Sequence, residues 1–183
     1  MRGQGWRWNS FGGSILFAAA AGAGSLVATT ILGPILGVSS VVSGYAVATA
    51  TLFAIGIAPG RAGAVAAGAL ASVLGALLLL LPIGVHATVA GAAAIVAVCR
   101  SGLLYRSRPL RAILLEAALL VAGLGLAQLA MGRGVASLAL ATWGYFLVQS
   151  LFFLVGGVAS RPSPDADVDP FDRARSRLQE LLG

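Results

Sequence analysis

The chain has 183 residues, 58% of them hydrophobic and only 10% charged, with a mean hydropathy of +0.95. Soluble globular domains carry about 25% charged residues, so a water-soluble fold is excluded and an all-α, polytopic membrane helix bundle is expected. The formal net charge of +6 comes from twelve basic residues, all of them Arg, against six acids; at helix ends these arginines serve membrane topology, and nucleic-acid binding is not expected.

No charge occurs from residue 9 to residue 60 or, with His86 neutral, from 62 to 99. Each gap accommodates two crossings, since one crossing takes roughly 20 apolar residues. Apolar runs read against helix breakers predict about six transmembrane helices near 12–32, 35–57, 62–81, 84–104, 112–131 and 135–157, together forming one bundle domain, 1–157. Trp6, Arg7 and Trp8, with Phe11, make an aromatic and cationic anchor where the first helix begins. Ala21 and Ala23 offer a small-residue cleavage pattern, but the apolar stretch from Gly12 to Leu32 has the length of a full crossing rather than a leader core. The interruptions Gly33-Pro34, Pro82-Ile83-Gly84 and Gly132-Arg133-Gly134 carry turn chemistry and divide the helices into three hairpins.

Small residues recur four apart at Ala20 and Gly24, Ala64 and Gly68, Ala71 and Gly75, and Ala87 and Gly91. Lipid gives helices no hydrophobic reason to associate, so such faces predict close backbone packing within the bundle or against a second copy. Orientation follows from the arginines. In a six-helix arrangement Arg2, Arg7, Arg61, Arg100, Arg106, Arg108, Arg111, Arg161, Arg173, Arg175 and Arg177 fall on one side, and Arg133 on the other. The positive-inside rule then puts both termini in the cytoplasm, with a bacterial inner membrane as the expected location.

Glu116 is the sole acid within a predicted crossing, where charge is costly enough to suggest a role. It stands about one turn from the cytoplasmic end, so a structural reading competes: the helix N-terminus and Arg108 or Arg111 can hold its carboxylate. Gln128 and Gln149 need hydrogen-bond partners, whereas Ser and Thr can bond their own helix carbonyls. Glu116, Gln128 and Gln149 are therefore the candidates for a polar cavity, set against simple glue between helices. Four of the arginines, Arg100, Arg106, Arg108 and Arg111, surround Leu103, Leu104 and Tyr105 and read as topology and lipid head-group anchors. His86 is expected at the opposite membrane face, with no second His to make a metal site. Cys99 beside Arg100 reads as a buried, inert thiol.

The inventory also bears on chemistry. Without Lys there is neither a Walker phosphate loop nor a Schiff base, and one His with one Cys cannot make the familiar zinc motifs. No cofactor, metal or enzymatic activity is expected. The D-A-D-V-D run begins like a calcium loop, but Pro170 and Ser176 stand where Gly and Glu are required.

Residues 158–168 read as a flexible linker and 169–183 as a short cytoplasmic amphipathic helix, opened by Asp169 and Pro170. Phe171, Ala174, Leu178, Leu181 and Leu182 share one face of it. Such a helix is marginal alone, and its slightly acidic tail is drawn only weakly to anionic lipid, which favours a protein surface, either the chain's own, with the basic 100–111 segment a candidate, or a partner's. Two functions are thus expected: a non-enzymatic scaffold or subunit that docks a membrane or cytoplasmic protein through this tail, or a small-solute transporter or solute-binding subunit. In size and helix count alone the chain is similar to small membrane subunits of bacterial transport and envelope complexes, the substrate-binding components of energy-coupling-factor importers among them.

Overall fold

The computed structural model describes residues 10–58, 60–104, 109–130, 132 and 134–154. The regular elements among them are all helical: α1 (Phe11–Leu36), α2 (Val38–Gly56), α3 (Arg61–Leu80), α4 (Val85–Val98), α5 (Pro109–Ala130) and α6 (Val135–Ser150). A π-helical stretch, Cys99–Leu104, prolongs α4, and a 3-10 turn, Leu151–Phe153, prolongs α6. The chain is a multi-pass helical membrane protein. Among the described residues, five helices are long and apolar enough to cross a bilayer. The 14 residues of α4 span only about 21 Å of the roughly 30 Å hydrocarbon core, and the π-helical stretch extends it. The predicted tail helix, the linker before it, Trp6, Arg7, Trp8, Arg106, Arg108 and the side chain of Arg111 lie outside the described residues.

Side chains are distributed as a lipid solvent demands. Leu129, Leu80 and Ile35 are 87%, 80% and 75% exposed around the outside, whereas Ala18, Ala54, Ala67 and Ala71 have no exposed surface inside. Packing therefore rests on close approach of small residues rather than on large interior apolar groups. The broadest interface is that of α1 with α6. At Gly22 an added Cβ would sit 2.9 Å from the Cβ of Trp143 and 3.1 Å from the carbonyl oxygen of Ala139, so backbone meets backbone there. The predicted small-residue faces serve contacts of the same kind: Gly24 lies on Tyr45, Gly68 on Ile55, Gly75 on Val47 and Gly91 on Leu78.

Helix α2 packs on α1, α3 and α4, and α5 packs on α6, but α4 and α5 meet only sparsely. The result is an incomplete ring of α1, α2, α4, α5 and α6, with α3 outside it against α2 and α4. Phe17, Phe53 and Phe146 plug the ring near the end where α1 begins, with ring centroids 5.0 to 5.3 Å apart in tilted and edge-on pairs.

The first helix corrects an expected boundary. Its break was anticipated at Gly33-Pro34, yet α1 continues through Pro34 to Leu36. Proline so close to a helix end forfeits one backbone bond and leaves the rest of the ladder intact. The stop comes at Gly37, whose φ of 82° lies in the region open to glycine, and whose N–H donates to the Gly33 carbonyl at 2.9 Å.

A pair of alanine substitutions separates close approach from helix propensity. Gly22→Ala should destabilise the protein by about 1–3 kcal/mol, because neither the Trp143 backbone nor the Ala139 carbonyl can easily yield. Gly44→Ala, in α2 with nothing within 4 Å of the added Cβ, should be neutral or stabilise by roughly 0.5–1 kcal/mol. Reversible unfolding in mixed micelles checks both.

Candidate functional site

Arg100 is the largest fully buried side chain in the bundle. This overturns its expected role as an interfacial anchor. It lies in the π-helical stretch, whose wider turn changes the angular phase of the residues that follow α4. Its Nε and Nη2 donate to the two carboxylate oxygens of Glu116 on α5, each at 2.5 Å. Nη2 also donates to Oε1 of Gln149 on α6 at 2.8 Å, and Nη1 to the Gln149 carbonyl at 3.3 Å. The Gln149 amide nitrogen returns a bond to the Leu119 carbonyl on α5 at 3.3 Å. Phe152 lies beneath the guanidinium, its ring centroid 4.2 Å from Cζ.

This bidentate fork gives Glu116 a counter-ion from a neighbouring helix; Arg108 and the Arg111 side chain, anticipated for that part from sequence, lie outside the described residues. The pairing leaves a trace in the sequence. Arg100 and Glu116 are sixteen residues apart and equidistant from position 108 in the connection between α4 and α5, so an antiparallel hairpin brings them to one depth. Removing Arg100 from the arginine tally does not change its sense.

Glu116 and Gln149 are thus brought together, bridged by Arg100, but Gln128 is not. It stands near the end of α5 at the opposite end of the bundle, exposed, and faces His86 across a space of about 110 Å³ between α4 and α5. Other polar groups bond to backbone, some within their own helix and some, such as Tyr45 to the Ala21 carbonyl, across to another. Thr49 and Thr142 donate to carbonyls of their own helices, and the buried Cys99 thiol lies 3.9 Å from the Ala67 carbonyl.

A central cavity of about 90 Å³, which sequence reasoning did not foresee, lies inside the ring. Its hydroxyl-bearing residues are Ser25 and Thr29 of α1, Tyr45 and Thr49 of α2, and Thr142 and Tyr145 of α6; alanines, Val42, Val89, Leu124, Leu138 and Phe146 complete it. Val89, Leu124 and Ala127 also border the space beside His86 and Gln128, so the two volumes adjoin at these residues. Tyr145 connects the cavity with the arginine cluster. Its ring lines the cavity, and both that ring and the Gln149 amide lie against Gly123, where an added Cβ would meet them at 3.0 and 3.3 Å. Its hydroxyl is buried without a hydrogen-bond partner, as is that of Ser101. Among the described residues no three His, Cys, Asp or Glu side chains gather into a possible metal site.

Compared with protein families, curated proteins and solved structures, the chain matches none.

The clamp makes a specific prediction. Arg100→Met or Glu116→Leu alone should destabilise the protein by about 3–5 kcal/mol, since each strands a buried charge, and the double variant should recover much of that loss. Unfolding midpoints of the four proteins in one detergent check this coupling.

Proposed function

We propose that this chain is a non-enzymatic, solute-binding subunit of a bacterial inner-membrane complex, holding its solute in the central cavity with both termini in the cytoplasm. The observation that carries this reading is the cavity itself: five helices converge on it, and three of them, α1, α2 and α6, bring hydroxyl-bearing residues to its mainly apolar wall. Voids in packed interiors cost stability, and polar groups facing them cost more unless they are satisfied. Ser, Thr and Tyr among apolar side chains offer positioning rather than acid–base chemistry, which supports binding over catalysis. The predicted amphipathic tail at 169–183 fits a subunit that works beside a partner, and that docking role rests on the sequence of its apolar face.

Filling the cavity tests the proposal. Ala127→Phe places a ring where the two spaces adjoin, and the protein should remain folded and monodisperse because the added volume enters a void. Mass spectrometry of small molecules released from protein purified out of native membranes should find a stoichiometric companion in the parent and its loss in Ala127→Phe. Identical extracts, together with identical thermal responses to a broad solute library, would remove the support for a binding role. For orientation, reporter fusions at residue 183 should be active only as cytoplasmic reporters; periplasmic activity would reverse the assignment.

A further inference from the structure

The chemistry of the cavity wall constrains what can occupy it. Ser25 donates to the Gly22 carbonyl at 2.8 Å, Tyr45 to the Ala21 carbonyl at 2.7 Å, Thr49 to the Tyr45 carbonyl at 2.7 Å, and Thr142 to the Leu138 carbonyl at 2.9 Å. A hydroxyl has one proton and two lone pairs. These four groups have committed their protons to backbone, so the small polar share that they give the mainly apolar wall can only accept. Thr29, the remaining aliphatic hydroxyl, can turn its proton to its own helix in the same way. Tyr145 contributes its ring, since its hydroxyl has no accessible surface.

Among the described residues the wall carries no charged side chain, and Arg100 and Glu116 neutralise each other outside it. An ion would therefore enter a low-dielectric space without a counter-charge. Resting on the solute-binding reading above, we propose that the cavity selects an uncharged, mainly apolar small molecule that donates hydrogen bonds, such as one bearing a hydroxyl or N–H on a compact ring or short hydrocarbon body. A donor would pair with the lone pairs these hydroxyls keep, whereas a solute that can only accept would find no proton on them and lose its own hydration without replacement.

Three rings of similar size separate these cases at pH 8: phenol, which donates; benzene, which neither donates nor accepts; and pyridine, which only accepts. Equilibrium dialysis of each labelled probe against the full-length chain in detergent, with a detergent-only chamber as reference, gives the dissociation constants. Phenol should bind about tenfold more tightly than either of the others, equivalent to roughly 1.4 kcal/mol. In the double variant Thr49→Val, Thr142→Val, which keeps side-chain shape and removes two acceptors, that preference should fall away while benzene binding is retained. Equal binding of all three rings would overturn the assignment of a donor ligand and leave the binding cavity standing. A phenol preference that survives in the double variant would overturn it as well. If no ring is held above the detergent reference, the solute-binding reading fails together with it.

Discussion

A guanidinium enclosed by a membrane bundle has few stable surroundings, because the desolvated charge must be neutralised and its N–H groups must find acceptors. Arg100 meets that demand with a carboxylate from α5, an amide and a carbonyl from α6, and an aromatic face from the turn that follows. Each partner constrains a helix. The end of α4 widens into a π-helix to present the arginine, α5 holds Glu116 at matching depth, and α6 must come close enough to offer side chain and backbone from one residue. Gly123 permits that approach, since a side chain there would displace Tyr145 or Gln149.

The clamp governs the rest of the ring because α4 and α5 have little else in common. They are tied at the end where α1 begins, immediately beside the aromatic plug of Phe17, Phe53 and Phe146. At the other end they part around His86 and Gln128, and the space between them runs to the cavity wall at Val89, Leu124 and Ala127. One end of the ring is therefore held shut by charge and aromatic packing, and the other is bordered by small and uncharged groups. This arrangement suits the proposed interior site, which would be reached from one side without any moving part being invoked.

Much of the scaffold was legible in sequence because lipid imposes a simple rule on it: long apolar runs become helices, and breakers lie between them. The small-residue pairs likewise foretold close packing, and Gly24, Gly68, Gly75 and Gly91 each meet a neighbouring helix. What failed to show was partnership. Gly37 ends α1 through a positive φ, a backbone property that the more conspicuous Gly33-Pro34 pair obscured. Arg100 looked like one more topology arginine because an arginine at a helix end is ordinary; its burial depends on a π-helical turn, which has no compositional signature. Glu116 and Gln149, two of the three candidates for a polar cavity, meet through Arg100, but Gln128 could not be separated from them until the length of α5 put it at the far interface.

The cavity belongs to a different category, since no single helix encodes it. Ser25, Thr49 and Thr142 are each unremarkable as helix residues that bond their own backbone, and lipid-exposed threonines do the same, as Thr30 does to Leu26. Only convergence of the helices brings these separately bonded residues, from α1, α2 and α6, to one mainly apolar wall. Alanine and glycine allow pairs of helices to approach closely, yet the same small side chains cannot reach across the centre of a five-membered ring. Larger apolar residues at Ala46, Ala93 or Ala127 would reach it and would gain burial in doing so. The sequence instead keeps alanines at the centre beside a few larger groups such as Leu124 and Leu138, so the bundle combines tight pairwise seams with a central cavity.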